Sequence, residues 1–335
     1  TVNLTNSTAG NANLYAWIDF NNNGSFEASE LSQQIINSGQ TSATLSWSGI
    51  AAASVTSATY LRLRLRSDSN TSPIGTAADG EVEDYVINII GTASINGTVF
   101  EDINYGGGNS RNFLTANASF PSTDVGTAAT VELWNSDGSQ CTGVSPISTV
   151  STTDGNYSFA SVSAPADYCV RVVTNTVESN RTGYVSSLVP IPIFRVESTD
   201  GIGSLTVVAD EIGGRFPALA DTATGVFSAS QTSAWSQVRT NGATINDVDF
   251  GFNFNTIVNT NDSGQGSLRQ FILNSNALAN NNIAQQGQTN LIDVSIFQIP
   301  TGDTNFNING QSVFTITPLT ALPTTTSPVQ LSATT

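Results

Sequence analysis

Apolar and polar residues alternate in short bursts along most of this chain, and turns built from Gly, Asn, Ser and Asp separate the bursts. LYAWIDF, ATLSW, YLRLRLR, DYVINII, INGTVF, TVELW, YSFASV, YCVRVV, LTVVA and VDFGF each have the alternation or the β-branched and aromatic content of a strand. In YLRLRLR the period is strict: Leu61, Leu63 and Leu65 share one face while Arg62, Arg64 and Arg66 share the other, as in a half-buried strand. Many short strands at this spacing predict β-sandwiches or barrels. GSLRQFILNSNAL breaks the pattern, with Ser267 as an N-cap and Leu268, Phe271, Ile272 and Leu278 on one helical face, and it is the one helix expected. Strand-like DVSIFQI and VFTITPL follow it.

The segment DFNNNGSFEASE, residues 19–30, satisfies the calcium-loop pattern D-x-[DN]-x-[DN]-G-x5-E at every specified position. Asp19, Asn21 and Asn23 offer hard oxygens at alternating positions, Gly24 allows the sharp turn, the Ser25 carbonyl can follow, and Glu30 can close the shell with two oxygens. Ca²⁺ is the cofactor this chemistry predicts. The loop follows a strand pattern rather than a helix, so the expected role is structural, fixing a strand connection, and not that of an EF-hand sensor. The alternative is a plain Asn-rich turn.

Composition removes whole classes of chemistry. The ten basic residues are all arginine, and there is no lysine, histidine or methionine. Without His there is no Ser-His-Asp triad, Cys-His pair or His-ligated zinc; without Lys there is no Schiff base or P-loop lysine. The net charge of −16 argues against nucleic acid, whose phosphates demand a basic footprint, and suits divalent cations better. No apolar run is long enough to insert into a membrane, and the absence of an initiating Met and a signal peptide predicts a processed product or an excised segment. Sequons at Asn96, Asn117 and Asn156 carry little weight in a chain so rich in Asn, Ser and Thr. The two cysteines, Cys141 and Cys169, invite a disulfide in an exported protein, the alternative being two buried thiols.

DGEVEDY, residues 79–85, places Glu81 and Glu83 on one face of the strand after YLRLRLR, and a carboxylate–arginine ladder to Arg62, Arg64 and Arg66 is expected there, ahead of any catalytic carboxylate pair. With AWIDFNNNGSFEASE upstream, residues 1–91 resemble a GEVED domain, which implies a β-sandwich module of large bacterial exported proteins. From residue 92, INGTVFEDINYGGG, ATVELWNSDG, TTDGNYSFASV and DYCVRVV follow one another and resemble an SdrD B-like domain of the prealbumin-like family that includes collagen-adhesin B-type repeats. That resemblance runs to 255 and implies a second, weaker calcium site at Asp102 and Asn104, with Gly106 departing from the pattern, and with Asp154 as a further ligand or a turn former. The intramolecular Lys isopeptide bond of related domains is excluded by the lack of lysine. Residues 178–243 form a long Gly-, Ser- and Thr-rich connection in which no site is expected. Residues 256–335, from NTNDSGQGSLRQFILNSNA through FTITPLTALPTTTSPV, are similar to the opening of right-handed parallel β-helix domains, a capping helix and first rungs. A rung without a successor leaves an apolar edge, here Val313, Phe314, Ile316, Leu319 and Leu322, expected to serve assembly.

The expected fold class is therefore all-β, tandem β-sandwich domains followed by a short helix-capped β-solenoid-like segment. The expected function is that of a non-enzymatic extracellular structural protein, a calcium-stabilised stalk or fibre subunit of a bacterial surface or adhesin assembly. Its partners would be copies of itself or the rest of a longer surface polypeptide. The alternative is an adhesin segment that binds a host or matrix glycan or a surface protein, with Trp47 and Trp235 as a platform and Trp17 and Trp134 in the core. A carboxylate-dependent enzyme acting on glycosides comes last, because no acidic pair stands out in the β-helix segment.

Overall fold

The computed structural model describes residues 1–50, 56–119, 124–208, 212–221, 223–280, 285, 292–306, 310 and 312–331. The chain divides into two compact units. One comprises Thr1–Ala93 with the short segments Ser163–Ala166 and Asn241–Ala243, and the other comprises Ser94–Val162, Asp167–Thr240 and Thr244–Thr335. The regular secondary structure of both is mostly strand, and no helix among the described residues is long and apolar enough to cross a membrane.

The first unit contains β1 (Val2–Asn3), β2 (Ala12–Ile18), β3 (Leu31–Ile36), β4 (Ser42–Ala43), β5 (Thr56–Arg66) and β6 (Glu81–Ile89). β3, β2, β5 and β6 form an antiparallel sheet in that order, and β1 pairs with β4. β2 lies in the interior of the sheet and is buried along nearly its whole length, which explains why ANLYAWI is apolar at almost every position. Its leucine face meets the β1–β4 ribbon in a core of Ala12, Leu14, Ile36 and Ala43, with Leu4, Leu45 and Leu65 packed against it. β6 is the terminal strand and remains largely exposed.

The second unit holds all or most of β7 (Gly91–Asp102), α1 (Phe113–Ser119), β8 (Asp124–Gly126), β9 (Thr130–Ser136), β10 (Cys141–Thr142), β11 (Ser148–Ser151), β12 (Asn156–Ala164), β13 (Ala166–Val172), β14 (Ile191–Glu197), β15 (Thr206–Val207), β16 (Trp235–Thr240) and β17 (Phe250–Asn253). β10, β9, β13 and β16 form one sheet, with β11 also on β9; β12, β7, β17, β14 and β15 form another, with β8 also on β7. α1 was not expected: RNFLTANAS carries little apolar periodicity, and Asn112 starts the helix by accepting the Thr115 N–H at 2.8 Å. A buried ion triad ties the long 178–243 connection down, with Arg171 bonded to Glu132, to Asp221 and to the carbonyls of Ala223 and Val226. Its placement was invisible in sequence because Arg171 lies 50 residues from Asp221.

β18 (Thr256–Ile257), α2 (Leu268–Ala277), β19 (Asp293–Val294), β20 (Ile296–Phe297) and β21 (Val329–Gln330) complete the chain. β18 pairs in parallel with β20, and β19 with β21. α2 matches the predicted helix, and the Ser267 hydroxyl caps it by accepting the Gln270 N–H at 3.1 Å. This segment is part of the second unit, and no division falls near residue 256. Leu278 packs with Leu188 and Phe254, Ile296 packs with Tyr105 and Ile193, and the Asn274 amide donates to the carbonyls of Val189 and Phe254.

The expected assembly edge is only partly open. Phe314, Ile316 and Leu322 pack against the Ile257, Phe271, Ile272 and Ile299 cluster around α2, leaving Val313 and Leu319 as the exposed members. The apolar face of α2 half-buries the other three side chains.

Candidate metal centre

The loop between β2 and β3 carries Asp19, Asn21, Asn23, Glu27 and Glu30. Its two ends are anchored: the Asp19 N–H donates to the Tyr60 carbonyl of β5 at 3.1 Å, the Thr59 hydroxyl donates to the Asp19 carbonyl, and the indole N–H of Trp47, outside the sheet, donates to the Glu30 carbonyl at 2.8 Å. Asp19 and Glu30 are each only 2% exposed. Between them the chain reverses through left-handed backbone at Asn22 and Gly24, φ 53° and 80°, which Asn and Gly tolerate best.

Backbone amides hold the carboxylates. Asp19 accepts the N–H groups of Asn23 at 3.0 Å and Gly24 at 2.9 Å, and Glu30 accepts those of Phe20 at 2.8 Å and Glu27 at 3.0 Å. The Asn21 and Asn23 side-chain oxygens accept the N–H groups of Asn23 and Ser25, which curls the loop around its own centre. Glu27 was not singled out in the sequence; its carboxylate receives the side-chain amides of Asn21 at 3.1 Å and Asn23 at 3.0 Å. Counting from Asp19 it is the ninth loop residue, a position that often contributes to calcium through water, and that spacing was the available signal.

Neither Asp19 nor Glu30 has an ion pair to arginine among the described residues. Two buried carboxylates without a counter-charge are costly, and a hard cation drawing on them, the Asn oxygens and the Ser25 carbonyl would relieve that cost, so the donor set fits Ca²⁺. No group of three or more His, Cys, Asp or Glu side chains at metal-binding spacing occurs among the described residues. A loop that draws two of its oxygens from Asn and one from a carbonyl does not require one. Beside the loop lies a cavity of about 210 Å³ lined by Asp19, Gly24, Phe26, Tyr60, Arg62 and Asp84.

The expected arginine ladder takes a different form. The register sets Glu81 opposite Leu65 and Glu83 opposite Leu63, so both glutamates share the leucine face, and Asp84 faces Arg62 instead. Arg62 binds Asp84 through two bonds of 2.7 and 2.6 Å, which raises the arginine's pKa and lowers that of the aspartate, and its guanidinium lies 5.3 Å from the Phe26 ring centre. Arg64 and Arg66 turn to the loop after β5. Arg64 donates to the carbonyls of Ser72 at 2.9 Å and Gly75 at 2.7 Å, and Arg66 bonds Asp68 at 2.7 Å and the Asn70 carbonyl. Arg62 adds the Pro73 carbonyl, so the three side chains form a comb along residues 68–75. Burial, then repulsion from Arg66 and Arg62, lowers the pKa of Arg64, which nonetheless stays charged. Gly80 closes this loop with φ +98°, where a Cβ would come 1.8 Å from the Leu65 carbonyl oxygen.

The weaker calcium positions have other partners. Arg111 binds both oxygens of Asp102 and the side-chain oxygen of Asn104, so an internal cation already neutralises the pair. Asp154 and Gly155, φ 48° and 79°, are the two central residues of the turn joining Thr153 to Asn156, where positive φ at both positions is what a tight hairpin requires. Cys141 on β10 and Cys169 on β13 are joined by a disulfide with Cα atoms 5.5 Å apart. Of the tryptophans, Trp17, Trp134 and Trp235 are buried, and Arg215 covers the Trp235 ring at 3.7 Å. Trp47 is half-buried and stands edge-on to Phe20, so the tryptophans form no open platform.

Residues 13–88 match the model of the GEVED domain, a stretch that covers β2 to β6, the calcium-type loop and the arginine comb. No curated protein and no solved structure matches the chain.

Proposed function

We propose that this chain is a non-enzymatic, extracellular structural segment of a bacterial surface or adhesin assembly, stabilised by Ca²⁺ in the β2–β3 loop. The observation that carries the reading is the pair of buried carboxylates, Asp19 and Glu30, without an arginine partner among the described residues, in a loop of matching spacing. Asp19, Asn21, Asn23 and Glu30 would supply side-chain oxygens and Ser25 its carbonyl, and the ion would lock the connection between two neighbouring strands. A bridged Cys141–Cys169 pair suits an oxidising compartment, and a chain without His or Lys lacks the usual bases and nucleophiles. The second unit is read as an SdrD B-like module whose last segment begins a parallel β-helix, a reading supported by the parallel pairs β18–β20 and β19–β21. Together the modules would act as a stalk or fibre element.

The test is calorimetry with and without chelator. Removing Ca²⁺ should lower the melting temperature of the first unit, and in Asp19→Ala, verified as folded by circular dichroism, the chelator should have no further effect. A wild-type melt that is indifferent to millimolar Ca²⁺ and to chelator would refute the metal site. At 1 mM Ca²⁺ a site with a Kd of about 10 μM would add about 2.7 kcal/mol.

A further inference from the structure

β6 is a nine-residue strand that pairs only with β5 and ends the order β3-β2-β5-β6, so along its outer side the backbone has no strand partner among the described residues. Long open edges are usually shortened, bulged or guarded with lysine. Here apolar side chains stand on both faces: Val82 and Val86 with Tyr60 across from Val86 on one, Tyr85 on the other, all between 47% and 66% exposed.

The charge on this strand is segregated. Glu81, Glu83 and Asp84 occupy the first half, while Val86, Ile87, Asn88 and Ile89 in the second half are uncharged. Asp84 is already neutralised by Arg62, but Glu81 and Glu83 have no ion pair among the described residues. We propose that β6 is a self-association edge, pairing antiparallel with β6 of a second copy about a two-fold axis through Tyr85.

That register overlaps all nine residues and sets Glu81 against Ile89 of the second copy, Glu83 against Ile87, Asp84 against Val86, and the two tyrosines against each other. No carboxylate faces another. Parallel in-register pairing would oppose all three acidic residues with their own kind, and an antiparallel register centred on Glu83 would place that glutamate against itself, both unfavourable. Two four-stranded sheets would join into one, and because the contact is closed it yields dimers, independently of the fibre role and of the calcium site. Each copy carries a charge of −16, so association should tighten as salt rises. A basic peptide strand, the competing occupant of an acidic edge, would show the opposite salt dependence.

Sedimentation of the full chain over increasing concentration and salt tests this. The expected result is a monomer–dimer equilibrium strengthened by salt and weakened about tenfold or more by Tyr85→Asp, which adds a like-charge pair on the axis. Tyr85→Cys, with the native cysteines bonded to each other, should give a covalent dimer on mild oxidation, whereas Glu81→Cys, distant from its own copy in this register, should not. A chain that stays monomeric at high salt and millimolar concentration overturns the proposal. So does a dimer unaffected by Tyr85→Asp, or cross-linking at position 81 as efficient as at 85.

Discussion

Asp249 is 8% exposed and has no ion pair among the described residues to offset its burial; its Oδ1 accepts the Thr98 N–H at 2.8 Å, and desolvation, with Asp247 adding repulsion, pushes its pKa from 3.8 up to about 6. A carboxyl whose folded pKa lies above the unfolded value favours the folded state while protonated. Its contribution is therefore complete below pH 3.8 and is lost as pH rises through about 6. Asp249→Asn keeps the acceptor for Thr98 and removes the charge, so the variant should be more stable than the parent at pH 7, by about 1 to 3 kcal/mol, with little difference at pH 4. Denaturant melts of both proteins at the two pH values check this; an equal stability difference at both would show that the charge is not the cause. Residue scale is also where a spacing pattern can mislead. Asp102 and Asn104 stand at ligand spacing, yet Arg111, in the Gly-rich stretch that follows, supplies the positive charge. At the Asp19 loop no arginine does so among the described residues, and this difference adds to the departure at Gly106 in separating the two sites.

At the scale of elements, the arginine comb is what gives the irregular 67–80 segment its shape. Arg64 is 3% exposed and donates to two backbone carbonyls, with no ion pair to a carboxylate among the described residues, so Arg64→Met should cost about 2 to 3 kcal/mol even though it preserves most of the apolar stem. Hydrogen exchange should then speed up across residues 70–76 while β2 stays protected; uniform acceleration across the sheet would instead indicate a packing defect. Most of the longer strands and α2 were legible because alternation and the Ser267 cap are local signals, as was the strict Leu/Arg alternation of β5. ATLSW and VFTITPL, by contrast, form no strand beyond Ala43 and a bridge at Phe314, and β14 and β16 were missed. The ladder from β5 was not legible either. Which acidic residue faces which arginine depends on the β5–β6 register, and Gly80's close approach to the Leu65 carbonyl helps set it, a contact between residues 15 apart that no periodicity encodes. The same holds for the inward turn of Phe314, Ile316 and Leu322: their apolar character was plain, but the face of α2 that covers them belongs to tertiary packing.

For the whole molecule, the two compact units carry different reinforcements, and this allows them to be told apart. The calcium-type loop lies wholly in the first unit, between β2 and β3, while Cys141 and Cys169 lie in the second, 28 residues apart in sequence. Closing a loop of that length contributes about 3 to 4 kcal/mol in the chain-entropy model. A metal acts by mass action on whichever folded state binds it. Scanning calorimetry of the intact chain should therefore resolve two transitions that respond to different reagents. Chelator should lower the one assigned to residues 1–93 and leave the other in place; reduction, or the Cys141→Ala, Cys169→Ala pair, should lower the second by several degrees without moving the first. The assignment can be made by comparison with Asp19→Ala, which should reproduce the chelator trace in the presence of Ca²⁺. One cooperative transition that shifts with both treatments would mean that the units unfold together.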